Sequence, residues 1–115
     1  MPYQGMPRVR NHYLHLPDGT ADIQLDSPAW FGWLQSASHF SYALGRPTFC
    51  WITFRREKRR HGDYWYAYLK TQTKLHNAYA GRTETLSSHQ LHLVAQKVVD
   101  KVAQTRRSAH SKENP

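Results

Sequence analysis

The residues best suited to chemistry lie in the middle of the chain, and they are cations interleaved with aromatic rings. Arg55, Arg56, Lys58, Arg59 and Arg60 crowd into six positions, interrupted by Glu57. Lys70, Lys74, His76 and Arg82 follow, with Tyr64, Tyr66 and Tyr68 between. Arginine pairs bidentately with the guanine edge in the major groove, lysine and tyrosine hold phosphates, and tyrosine also stacks on unpaired bases. This set therefore predicts recognition of a polyanion. The ordinary alternatives are a solvated hairpin tip for the cations and a half-buried packing surface for the tyrosines.

Other chemistry has less material. The eight histidines include His12 and His15, and His89 and His92, but none adjoins a cysteine or a His-Glu-x-x-His pattern. Cys50 is the single cysteine, which excludes an internal disulfide; it falls inside an apolar strand and reads as core. Glu57 and Asp63 are thin provision for the carboxylates that metal-assisted phosphate cleavage requires. No enzyme, metal site or cofactor is expected.

The whole-chain balance agrees. The 115 residues carry 16 Lys and Arg against 8 Asp and Glu, a net charge of +8. By segment the net is −1 over 1–45, +7 over 46–82 and +2 over 83–115, so the excess coincides with the part richest in strand formers. A basic sheet points to phosphates. No apolar stretch approaches a membrane span, no basic amphipathic helix with large apolar residues is evident, and the first residues lack the apolar run of a signal peptide. A cytoplasmic protein without a membrane partner is the expectation.

The elements that must position these residues follow from periodicity. Residues 1–11 read as a flexible basic arm, 12–104 as one domain and 105–115 as a flexible polar tail. Short strands are expected at 12–16 and 21–25. Ser27 and Pro28 open a short helix whose Trp30, Trp33 and Leu34 share a face. Period-two alternation then gives strands at 39–44, 49–57, 64–70 and 74–80, with turns at 45–47, 58–63 and 71–73. In the third of these strands Tyr64, Tyr66, Tyr68 and Lys70 face one way and Trp65, Ala67 and Leu69 the other. Trp30 and Trp33 need a surface to bury against, and the tyrosine face is one candidate. Ser87 with Gln90 predicts a capping box, Leu86 with Leu91 a hydrophobic staple, and Leu91, Val94, Ala95, Val98 and Val102 the apolar stripe of a helix ending near 104. The expected fold is α+β: a short N-terminal helix, a three- to four-stranded antiparallel sheet, and a C-terminal helix packed on one face.

Pro28 to Phe31, Arg55 to Arg60, Trp65 to Tyr68, Lys74-Leu75 and Gly81 to Ser87 together resemble a segment found at the front of some large bacterial LuxR-type regulators and as small stand-alone proteins. The resemblance spans about residues 20–103 and departs from the pattern at Thr71-Gln72-Thr73, where glycine is expected. It implies a place in transcription regulation without assigning a biochemical role. A sheet followed by a helix is also similar in architecture to the arm-type DNA-binding domain of tyrosine recombinases, which implies a sheet laid in the major groove. The expected function is nucleic-acid binding without catalysis, duplex DNA first. The rival from another class is a protein-interaction module, an accessory subunit or an inhibitor that binds an acidic partner, and RNA or single strands are a third possibility.

Overall fold

The structure is a computed structural model that describes residues 6–19, 22–45, 50–71 and 74–113, with side chains described as far as 104. The strands are β1 (Arg8–Arg10), β2 (Tyr13–His15), β3 (Asp22–Gln24), β4 (His39–Leu44), β5 (Cys50–Arg59), β6 (Gly62–Lys70) and β7 (Leu75–Gly81). The helices are α1 (Pro28–Leu34), a 3-10 turn at Thr83–Thr85, and α2 (Ser88–Glu113). All seven strands form one sheet in the order β3-β2-β1-β4-β5-β6-β7.

This corrects the expected three- to four-stranded antiparallel sheet with an N-terminal helix. Strands β4 to β7 are the antiparallel four read from alternation, but three short strands widen them into a mixed sheet, and all three precede α1. The join is the parallel pair β1–β4, with Arg8 beside Ser41 and Val9 beside Tyr42. Residues 8–10, assigned to a flexible arm, thus sit inside the sheet between β2 and β4. Two arginines and nearby prolines disguised a strand whose central Val9 is buried. At the other end, α2 runs past 104 to Glu113. The turns at 46–47 and 72–73 lie outside the described residues.

One face of the sheet holds the core. Phe40, Leu44, Ile52, Phe54, Trp65, Ala67, Ala78 and Ala80 are buried on it, and the registers place them side by side. Both helices cover this face. Trp30 of α1 meets Phe40 edge-on at 5.5 Å, Phe40 stacks on Phe54 at 5.2 Å, and Trp33 stacks on Trp30 at 5.8 Å. Leu91, Val94, Ala95 and Val98 of α2 join the same cluster. Each deeply buried indole also needs an acceptor. Trp30 Nε1 donates to the Leu86 carbonyl at 2.7 Å and Trp65 Nε1 to Thr83 Oγ1 at 3.0 Å.

The helix starts follow local rules with one change. Ser27 accepts from the Trp30 amide at 3.3 Å and Pro28 opens α1. Ser87 accepts from the Gln90 amide at 3.2 Å, the first half of the expected capping box. The second half is redirected: the Gln90 side chain donates to the Ala80 carbonyl at 2.9 Å, while Asp26 accepts from the Ser88 amide and hydroxyl. With Lys101 donating to the Asn77 carbonyl, α2 occupies backbone acceptors of the edge strand β7 and blunts that edge. Gly81 has φ of +113°, and a Cβ there would stand 2.7 Å from Thr85 Oγ1, so the β7 exit requires glycine.

Candidate nucleic-acid interface

Alternation puts a second set of side chains on the opposite face, and among the described residues neither helix crosses it. Arg8 and Arg10 come from β1, Trp51, Thr53, Arg55, Glu57 and Arg59 from β5, Tyr64, Tyr66, Tyr68 and Lys70 from β6, and Leu75, Asn77 and Tyr79 from β7. Among the described residues the tyrosine face is therefore open to solvent, and Trp30 is buried and Trp33 half-buried on the other side of the sheet. The tyrosines are nonetheless half-buried, because they shield one another at cross-strand spacing. Tyr79, 53% exposed, has its ring 5.5 Å from that of Tyr66 and 6.0 Å from that of Tyr64.

Arginines lie over these rings. Arg59 is 4.8 Å from the Tyr66 centroid, Arg82 is 5.3 Å from that of Tyr64, and Arg8 is 5.6 Å from that of Trp51. Stacking holds a guanidinium in place without using its in-plane donors, so most of them stay available to an anion or a base edge. Arg82 also donates to the Tyr64 hydroxyl at 3.3 Å, and that bond raises its pKa further. Glu57 accepts from Arg59 at 2.5 Å and from the Tyr68 hydroxyl. One carboxylate thereby fixes one cation and one phenol, and it subtracts one charge from the face.

The hairpin of β5 and β6 extends beyond its neighbours. Pairing of β4 with β5 stops at His39 and Arg55, and pairing of β7 with β6 stops at Gly81 and Trp65. From Glu57 to Tyr64 the two strands pair with each other alone. The expected turn over 58–63 closes more tightly, on Arg60 and His61, with Gly62 at φ +138° as the first residue of β6. Lys58, Arg59, Arg60, His61 and Asp63 are all exposed on this ribbon, and among the described residues Lys58 and Arg60 form no ion pair.

Four of the expected contact residues need correction. Arg56 lies on the helix side of β5 and donates to the Leu34 and Gln35 carbonyls at 3.4 and 2.7 Å. It satisfies the end of α1 and is spent on the fold. His76 is 6% exposed beneath α2, so it cannot meet a ligand. Lys74 is exposed but belongs to the turn before β7, and Lys58 shares the side of Arg56, exposed because the ribbon has outrun the helices. Arg55, Arg59, Arg60, Tyr64, Tyr66, Tyr68, Lys70 and Arg82 do gather at the open face and the ribbon.

Sequence reasoning missed Arg8, Arg10, Trp51 and Tyr79. For Trp51 and Tyr79 the signal was present, since alternation within β5 and β7 sends them to the side of Arg55. Arg8 and Arg10 carried no such signal, because only the parallel pairing brings them in.

Among the described residues no group of three His, Cys, Asp or Glu is placed to hold a metal ion, and no helix is long and apolar enough to cross a membrane. Burial raises the pKa of Cys50, on the helix side, and that of Tyr42, so neither is an activated nucleophile. Comparison with family models, curated proteins and solved structures returned no match.

Proposed function

We infer that the chain is a nucleic-acid-binding protein that inserts the β5–β6 ribbon into the major groove of duplex DNA and performs no catalysis. Dimensions select this docking. Seven strands about 4.8 Å apart span about 29 Å, far more than a major groove about 12 Å wide, whereas a two-stranded ribbon fits. The observation that carries the reading is this ribbon, projecting past the sheet with an exposed basic tip and continuous with an uncovered face of arginines and tyrosines. A regulatory role in transcription would follow from sequence-selective binding and is part of the proposal.

The test is the salt dependence of affinity for a short random duplex. Arg55, Arg59, Arg60 and Arg82 lie on or beside the ribbon, and four neutralised phosphates give a log–log slope of about −3.6. Replacing Arg59 and Arg60 by alanine should make that slope about two units shallower. A slope near zero refutes groove docking. Saturable binding to an acidic protein with none to DNA would establish the interaction-module alternative.

A further inference from the structure

The open face carries a feature that the ribbon does not use. Where β1, β4 and β5 meet, a cavity of about 310 Å³ opens between Met6, Arg8, Ser41, Trp51 and Thr53. Its origin lies in the register. Arg8, Ser41 and Thr53 form one row across three strands, and Ala43 lies opposite Trp51 in the next. Small side chains on β4 between a long cation on β1 and an indole on β5 leave a hollow. Ser41 is 8% exposed, and its hydroxyl is engaged by the Met6 sulfur at 2.7 Å, a weak acceptor for a buried donor.

We propose that this hollow is a stacking site for one unpaired nucleobase, so that the preferred ligand is duplex DNA with an adjoining single-stranded segment. The inference rests on the nucleic-acid reading and deepens it. The lining matches a planar, hydrogen-bonding ring. Trp51 offers an aromatic surface, Met6 an adaptable thioether, and Ser41 and Thr53 hydroxyls for a ring nitrogen or carbonyl. The Arg8 guanidinium, 5.6 Å from the Trp51 centroid, supplies a cation for the adjoining phosphate. The volume lies at the small end of ligand sites, enough for one ring system and too small for a folded peptide segment. A base inside a duplex has both faces stacked and its edge paired, so an unpaired base is the one that fits. Trp51 lies eight residues from Arg59 along β5, about 26 Å, so hollow and ribbon contact different parts of one ligand.

The experiment compares a blunt duplex with the same duplex bearing a short single-stranded extension, titrated against the full chain. The extension should tighten binding about tenfold, in the range of one base stacked on an aromatic side chain. Trp51→Leu should abolish that gain, so that blunt and extended duplexes bind alike, and Trp51→Tyr should restore most of it. Arg59→Ala with Arg60→Ala should weaken both ligands by the same factor, because sites this far apart act independently. Melting of each variant reports folding, and Trp51→Tyr keeps the comparison decisive if Trp51→Leu is unstable. Blunt duplex bound normally with no gain from the extension overturns the inference and spares the function. A gain that survives Trp51→Leu overturns it by placing the unpaired strand elsewhere. Tight binding of a free deoxynucleotide without a gain from the extension overturns it in favour of a nucleotide pocket. Failure to bind either DNA overturns both readings.

Discussion

Tyr66→Ala separates a binding surface from a packing surface. The ring is half-buried, 5.5 Å from Tyr79 and 4.8 Å from Arg59, and touches no helix. Its removal forfeits one cross-strand aromatic pair, about 0.2–1 kcal/mol, and one exposed cation–π contact, about 0.5–1 kcal/mol. The stability loss should total about 1–2 kcal/mol, a fall in melting temperature of roughly 4–8 °C for a domain of this size. Phe54→Ala, on the covered face of the adjacent strand, deletes a fully buried ring and should cost about 3–5 kcal/mol. Binding should invert the order. A phenol donating to phosphate makes a charge-assisted hydrogen bond worth about 1.5–3 kcal/mol, so Tyr66→Ala should weaken DNA at least tenfold. Phe54→Ala should leave the affinity of its folded fraction unchanged. Thermal melts and fluorescence anisotropy on both variants decide the matter. Equal stability losses, or unchanged affinity in Tyr66→Ala, would refute the reasoning.

Four further outcomes follow from the structure. Arg56→Ala should lower stability by about 1.5–3 kcal/mol by stripping its donor from the end of α1, yet leave DNA affinity intact, whereas Arg60→Ala should do the reverse; paired melts and titrations check both. Val94→Asp should leave the chain unfolded by circular dichroism, since it puts an unpaired charge into the core beneath α2. Gly81→Ala should destabilise by more than about 1 kcal/mol in denaturant titration, from positive φ and a Cβ crowded by Thr85. Burial raises the Cys50 pKa above its ordinary value of 9.0, so alkylation near neutral pH should be slower in the native protein than in denaturant. The same shift makes stability fall as the pH climbs past that ordinary value, because the unfolded chain releases its proton first.

What the sequence determined by itself was local. The Ser27-Pro28 helix start, the Ser87 cap, the alternation in β4 to β7 and the apolar stripe of α2 all rest on contacts within a few residues or on strict period two, and each stands in the structure. Alternation also separated Tyr64, Tyr66 and Tyr68 from Trp65, Ala67 and Leu69. Which side the helices would choose was decided by tertiary packing. Trp30 and Trp33 found Phe40, and the Trp30 N–H found the Leu86 carbonyl 56 residues away. Tertiary structure also assigned the cations. Arg55 and Arg56 are adjacent and chemically identical, but one points to solvent and the other caps α1, because neighbours on a strand face opposite sides and only one side carries a helix. Of the three short strands, β2 and β3 fall within the expected 12–16 and 21–25, and only β1 was hidden, for the same kind of reason. Three residues such as Arg8-Val9-Arg10 have too little pattern to announce a strand. Arg8-Val9-Arg10 becomes one because β2 and β4 supply its hydrogen-bonding partners from both sides.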